Sequence, residues 1–212
     1  MKDGKNRNHL TEIEQEAEPA LADGQIYQLL VIGGGPAGMA AALAAKKAGL
    51  EKIAILDRNQ RWGGILPQCI HDGFGIYTYG ETLTGPEYAS RWYQNLQKEA
   101  IPYYCATTVI EICKKDEFFA VDYLGMVCGR GQIYGESIIF ATGCRERTLG
   151  QMRIPGSRPA GIYTAGEAQY MINMQNYLPG RSIVILGSGD IGLIMARRCI
   201  MEGMKVKLIL GE

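Results

Sequence analysis

The chain alternates between short runs that are apolar almost throughout and longer stretches whose apolar positions recur at helical spacing. Residues 26–32, IYQLLVI, are the first such run, and the lack of polar alternation predicts a strand covered on both faces. A glycine turn follows. The next residues, PAGMAAALAAKKA, are rich in alanine and predict a helix from about Pro36 to Ala48, with Gly49 ending it. A second apolar strand is predicted from Lys52 to Leu56. Strand, helix and strand in this order make a βαβ unit with parallel strands and a right-handed crossover.

The segment TGPEYASRWYQNLQKEA sets Thr84 three residues before Glu87 and puts a proline in the first turn. That capping-box spacing predicts a helix over about Gly85 to Glu99. From Tyr103 to Phe140 the pattern changes to β-branched and aromatic runs, YYCATTVIEICKK, EFFAVDYLG and GQIYGESIIFATG, separated by polar turns. These read as a small antiparallel meander that returns to the main sheet. Pro155 and Pro159 mark a connection, and Thr164 with Glu167 repeats the capping spacing ahead of AQYMINMQNYL, where MINMQ reads as the apolar face of a helix. The last segment, SIVILGSGDIGLIMARRCIMEGMKVKLILGE, is again strand, glycine turn, helix and strand.

The expected fold is therefore α/β: a Rossmann-like parallel sheet with a small antiparallel meander, followed by an incomplete second Rossmann-like unit. Residues 1–24 read as a charged arm with a transient helix around Leu10 to Ala17, residues 25–150 as the first domain, 151–180 as a connection and 181–212 as the start of the second. Two parallel strands and one helix cannot cover both faces of a sheet, so this second unit is expected to be poorly stable.

Composition narrows the partners. Twenty-two basic residues balance twenty-two acidic ones, which leaves no overall field to draw nucleic acid or an anionic membrane. The N-terminus lacks an apolar signal core and no run reaches the ~20 apolar residues of a membrane span, so a cytoplasmic location is expected. The six cysteines, scattered without a C-x-x-C pair or zinc-ligand spacing, fit reduced thiols, and no metal is expected.

Gly33, Gly35 and Gly38 occupy the G-x-G-x-x-G positions directly after a strand and at the opening of a helix. The first allows the tight turn, the second lets amides approach a pyrophosphate, and the third lets helix and strand pack closely. A phosphate would then sit on the unpaired amides of Gly35, Ala37 and Gly38 around Pro36, at the positive end of the helix dipole. Asp57, next to Arg58 at the end of the second strand, lies nineteen residues past Gly38, where a carboxylate can accept hydrogen bonds from a ribose. The alternative is a plain strand-to-helix turn. In the second copy Gly187, Gly189 and Gly192, with Asp190 and Ile191 between them, repeat the spacing, and Glu212 stands in the ribose position. An acidic side chain there repels a 2′-phosphate and favours NAD(H) over NADP(H).

Two such units joined through a meander and IIFATGCRER resemble the two-dinucleotide-binding-domain flavoproteins of the glutathione-reductase-like superfamily. More narrowly, GGILPQCIHDGFG, ATGCRER and IPGSRPAGIYTAGEAQYMIN resemble the FAD-dependent oxidoreductases related to the α subunits of sarcosine and opine oxidases and to the hydrogen cyanide synthase flavoprotein subunit. The resemblance, which runs from about residue 26 to the end, implies FAD in the first unit, with Gly63, Gly64 and the turn Ala141, Thr142, Gly143 near it. It also implies a nicotinamide nucleotide in the second, a small-molecule substrate, and a partner subunit or a homo-oligomer. Superfamily members continue beyond the second acidic strand and return to the flavin domain, so the resemblance implies an N-terminal portion that lacks that return. The function implied is hydride transfer between NAD(P)H or an organic substrate and FAD. A flavoprotein component of an amine or opine oxidase complex and a non-catalytic nucleotide-binding fragment are the other readings.

Within that frame Cys69 and His71 are the catalytic candidates, His71 as a proton donor. Against this, Cys69 reads more readily as a small buried hydrophobe and His71 as a turn cap. No second cysteine stands at a reductase spacing. Arg145 and Arg147, flanking Glu146, read either as phosphate ligands or as a salt-bridged clamp between the units. Trp62 reads as a neighbour of the flavin ring or as core.

Overall fold

The computed structural model describes residues 21–211. Strand β1 (Ile26–Ile32) leads into helix α1 (Pro36–Lys47) and strand β2 (Ile53–Leu56). A 3₁₀ turn (Leu66–Gln68) and the short helix α2 (Ile76–Tyr79) precede helix α3 (Gly85–Lys98). Strands β3 (Tyr103–Tyr104), β4 (Thr107–Lys114), β5 (Phe119–Gly125) and β6 (Gly129–Phe140) follow. Helices α4 (Leu149–Met152) and α5 (Ala165–Gln175) then connect to β7 (Ser182–Leu186), α6 (Asp190–Met201) and β8 (Lys205–Leu210).

The first six strands form one sheet in the order β3-β2-β1-β6-β5-β4. β3, β2, β1 and β6 run parallel, while β4, β5 and β6 form the antiparallel meander. The two parts share β6. Its first half pairs with β5 and its second half, from Tyr134, pairs with β1, so Phe140 ends beside Ile32. The residues after β6 are thereby delivered to the glycine turn.

Both faces of the parallel part are covered, which is why β1 and β2 carry apolar side chains at successive positions. Leu29, Val31, Ile53 and Ile55 pack on Met39 and Ala42 of α1 and Leu96 of α3. Leu30, Ala54 and Leu56 point the other way onto Val121, Tyr123 and Ile133 of the meander. The predicted start of α3 is present in full. Thr84 Oγ1 accepts from the Glu87 amide, and the Glu87 carboxylate accepts from the Thr84 amide at 2.8 Å. Thr84→Ala should lower stability by about 1 kcal/mol, read as a shift in denaturant midpoint with an unchanged slope.

Three expectations are corrected. The run YYCATTVIEICKK is two strands. Tyr103–Tyr104 is the edge of the parallel sheet, paired with β2, and only from Thr107 does the chain enter the meander. The break falls at Ala106, whose positive φ of 48° turns the chain while its amide donates to the Asn59 carbonyl at 2.7 Å. Secondly, the end of the charged arm belongs to the first unit. Leu21 is buried in the meander core, and the Asp23 carboxylate accepts from the Gln132 amide at 2.6 Å. The helix expected around Leu10 to Ala17 lies outside the described residues. Thirdly, the box at Thr164 is half formed. Thr164 accepts from the Glu167 amide, but the return partner is Glu146, which takes the Thr164 hydroxyl at 2.6 Å and the Gly166 amide at 2.7 Å.

In the second unit β7 and β8 pair in parallel, and Ile172, Met195, Cys199 and Met204 make a small core with α5 and α6. Val184, Leu186, Leu208 and Leu210 stay exposed on the strands, as expected of two strands with one covered face.

Candidate functional site: two glycine turns

The first turn is built at the carboxyl ends of β1, β2 and β6. Gly33 sits at φ +102°, and a side chain there would meet the Ala141 carbonyl oxygen at 2.3 Å. A methyl group on Gly38 would stand 1.9 Å from the Gly33 carbonyl oxygen, so helix and turn touch through backbone alone. A methyl group on Gly34 would fall 1.8 Å from the Tyr103 hydroxyl. Those three glycines are demanded by the fold.

Gly35 is different. Its φ of −71° and ψ of −176° suit any residue, and the nearest atom to an added methyl is the Gly64 Cα at 4.0 Å. Gly35 is the N-cap of α1, with Pro36 at the first helical position. Met39 is the first residue of α1 whose amide donates back along the chain, to the Gly35 carbonyl at 3.0 Å. Among the described residues the amides of Gly35, Ala37 and Gly38 have no hydrogen-bond acceptor, as a helix start requires. An anion is the natural partner for such a group of donors.

Asp57 is buried at the end of β2 and faces the turn. Its Oδ2 accepts the Gly34 amide at 2.7 Å and lies 3.0 Å from the Tyr103 hydroxyl, and its Oδ1 accepts the Asn59 amide at 2.8 Å. Tyr103 was hidden in the sequence within a run assigned to the meander. Burial first, and the adjacent Asp57 carboxylate second, push its phenol far above the usual tyrosine range, so the hydroxyl remains a donor. Arg58 is exposed beside Asp57.

Gly63 and Gly64, both at positive φ, back the turn: the Gly63 amide donates to the Gly34 carbonyl at 3.2 Å, and a methyl on Gly64 would meet the Gly35 Cα at 2.8 Å. Ala141 donates its amide to the Ile32 carbonyl at 2.8 Å, and Thr142 and Gly143 continue past it into solvent. Gly33, Gly34, Gly35, Gly64 and Ala141 therefore meet in one backbone-lined place. Trp62 is core. It stacks on Tyr93 of α3 at 4.7 Å and 6°.

The catalytic candidates are not brought together by any hydrogen bond. The Cys69 thiol donates to the Ile65 carbonyl at 3.4 Å and lies 3.9 Å from Gln169 Oε1. Burial pushes its pKa up, which keeps it a thiol rather than a nucleophilic thiolate. His71 Nδ1 lies 2.9 Å from the Asp72 carbonyl and its ring packs on Phe74 at 5.2 Å, the arrangement of a turn residue. His71 also lines a cavity of about 140 Å³ with Gln169, Asn173 and Arg198. Next to it, Gln68 donates to the Gly166 carbonyl and to Gln169, Asn173 donates back to the Gln68 carbonyl, and Arg198 donates to Asn173 at 2.9 Å. This chain of bonds, with Glu146 on the start of α5, joins the two units. Neither Arg145 nor Arg147 forms an ion pair among the described residues, so the expected arginine clamp is corrected to these amide contacts.

The second turn repeats the first. Gly187 is at φ +116°, a methyl on Gly192 would stand 2.3 Å from the Gly187 carbonyl oxygen, and nothing lies within 4 Å of a methyl on Gly189. Gly189 caps α6, whose first residues Asp190 and Ile191 are exposed. Gly187, Gly189, Leu186, Gly211, Met152 and Ile154 line a cavity of about 550 Å³, within the range of small-molecule sites. Glu212 lies outside the described residues. Among those residues no cluster of three or more metal-ligating side chains occurs, and no helix is long and apolar enough to cross a membrane.

Known proteins resemble this chain. An opine oxidase subunit of Rhizobium meliloti is 31% identical over 186 residues, 85% of this chain and 34% of the relative. Thioredoxin reductase of Mycoplasma genitalium is 33% identical over 169 residues, 79% of this chain and 49% of the relative. The chain thus spans between a third and a half of the length of these relatives. Among solved structures, L-proline dehydrogenase from P. horikoshii superposes with a TM-score of 0.71 at 20% identity, over 90% of this chain and 36% of that one. Residues 27–211 match the pyridine nucleotide-disulphide oxidoreductase family. With both glycine turns inside that match, the chain belongs to this family of FAD- and nicotinamide-nucleotide-dependent oxidoreductases.

Proposed function

We propose that the first unit binds FAD and the second NAD(H), and that the whole protein moves a hydride between a nicotinamide nucleotide or a small organic substrate and the flavin. The observation that carries this reading is the pair of middle glycines. Gly33, Gly34 and Gly38 are glycine because the protein leaves no room for anything else. Gly35 and Gly189 have room and ordinary backbone, so the space in front of them is left open for something the described residues do not supply. A pyrophosphate on the free amides fits that space.

In this reading the amides of Gly35, Ala37 and Gly38 hold the diphosphate, Asp57 takes the adenosine ribose, and Gly63, Gly64 and Ala141–Gly143 border the isoalloxazine side. The hydride chemistry belongs to the bound flavin, and this chain's residues supply orientation and exclusion of water. NAD(H) is preferred over NADP(H) through Glu212. The half-buried, protonated Cys69 argues for direct exchange with an organic substrate rather than through a protein dithiol. Six free thiols fit a reducing cytoplasm.

The test is FAD titration of the purified chain. FAD at ~1,000 times its dissociation constant should stabilise the fold by roughly 4 kcal/mol, seen as a rise in melting temperature. A melting temperature indifferent to FAD refutes the reading. The similarity to an opine oxidase subunit favours a second reading, a flavoprotein subunit that works beside a partner. Anaerobic NADH bleaches the flavin in the first case and leaves it oxidised in the second.

A further inference from the structure

Asp57 has fewer vacancies than a ribose-binding carboxylate needs if it is to hold both hydroxyls. A carboxylate offers about four acceptor positions, two on each oxygen. Oδ2 receives the Gly34 amide at 2.7 Å. The Tyr103 hydroxyl stands 3.0 Å from the same oxygen and 2.9 Å from the Gly34 carbonyl, and it has one proton for the two. The carboxylate is the stronger acceptor. The Gly34 carbonyl is served separately by the Gly63 amide at 3.2 Å. The phenolic proton therefore goes to Oδ2 and fills it. Oδ1 receives the Asn59 amide at 2.8 Å and keeps one position.

The carboxylate is held in this arrangement by its own bonds, the Gly34 amide and the Tyr103 hydroxyl on Oδ2 and the Asn59 amide on Oδ1. The backbone beneath it is held as well: the Asp57 amide donates to the Tyr104 carbonyl at 2.9 Å and its carbonyl accepts from the Thr107 amide at 2.8 Å. Tyr103 is itself wedged, buried on β3 with its ring edge-on to Tyr93 at 6.1 Å.

We propose that Tyr103 is a positioning residue that confines Asp57 to a single ribose hydroxyl, so that this site reads one of the two adenosine hydroxyls and ignores the other. The inference rests on the assignment of FAD to the first unit. Tyr103 acts through Asp57, by filling Oδ2.

The experiment measures flavin binding by fluorescence with FAD and with two FAD analogues, one lacking the adenosine 2′-hydroxyl and one lacking the 3′-hydroxyl. Wild-type chain should lose roughly tenfold in affinity for one analogue, the value of one hydrogen bond to a charged group, and almost nothing for the other. Equal losses for both analogues overturn the proposal, and this arm needs no variant. In Tyr103→Phe the freed position on Oδ2 should flatten the difference between the analogues, whereas a merely structural role for the hydroxyl would weaken all three ligands alike and preserve the wild-type ratio. A preserved ratio therefore overturns the proposal while leaving the FAD assignment in place. Failure of wild-type chain to bind FAD at all removes the assignment itself.

Discussion

Gly35→Ala should weaken FAD binding by about a hundredfold, roughly 3 kcal/mol, while the melting temperature of the ligand-free chain stays within a degree or two of wild type. The added methyl finds only the Gly64 Cα at 4.0 Å, which is ordinary contact, and the backbone at φ −71° needs no glycine. It would, however, stand in front of the amides that have no partner among the described residues. The variant thus separates what the ligand requires from what the fold requires. Gly35→Ser sharpens the test, because serine is a better N-cap than glycine and should raise ligand-free stability. If Gly35 is glycine only as a cap, the serine variant keeps its flavin. If the turn grips a diphosphate, serine gives a more stable protein that does not bind it. Flavin retained by both variants would remove the central argument for the first site.

The contrast among the glycines shows what the sequence could and could not carry. The βαβ unit was legible because its signals are local: an unbroken apolar run, alanines at helical density, and a glycine beyond the last turn. The start of α3 was legible for the same reason, since Thr84 and Glu87 satisfy each other within four residues. G-x-G-x-x-G identified the turn, but it gave Gly33, Gly35 and Gly38 equal standing and said nothing of Gly34. Which of them the fold needs depends on Ala141, Gly64 and Tyr103, which lie far along the chain.

Tyr103 was missed for a physical reason. An apolar run shows β-propensity but not where the chain changes sheets, and the change depends on one residue, Ala106, adopting a positive φ to meet the Asn59 carbonyl. Read as continuous meander, Tyr103 had no reason to reach the glycine turn. Placed as the edge of the parallel sheet, in register with Ile55, it does. The arginines around Glu146 were misassigned on similar grounds. Charge favours ion pairs in the abstract, but the groups needing partners at that place are the orphan amides at the start of α5, and those call for an acceptor. Cys69 and His71 stand two residues apart in the sequence, yet their hydrogen bonds go to separate carbonyl groups.

Gly34→Ala, one position from the variant that should leave the fold untouched, is expected to cost the first unit about 3–5 kcal/mol, a large share of a typical domain's stability. The new methyl would overlap the Tyr103 ring, at 1.8 Å from the hydroxyl oxygen and 2.1 Å from Cζ. The ring is buried and cannot step aside without opening the bond to Asp57, so overpacking and an unpaired buried carboxylate position add to each other. Because the clash lies with the ring and not only with the hydroxyl, Tyr103→Phe should fail to rescue Gly34→Ala. Tyr103→Val should rescue it in part. That substitution alone leaves a cavity costing about 2–4 kcal/mol, but in the double variant the methyl at position 34 occupies some of the vacated space. A double-mutant cycle by urea denaturation should therefore give a coupling of about 1–3 kcal/mol in the favourable direction. Additive losses would mean that the turn yields by moving its backbone, and the tight seat of Asp57 against Gly34 and Tyr103 would lose its support.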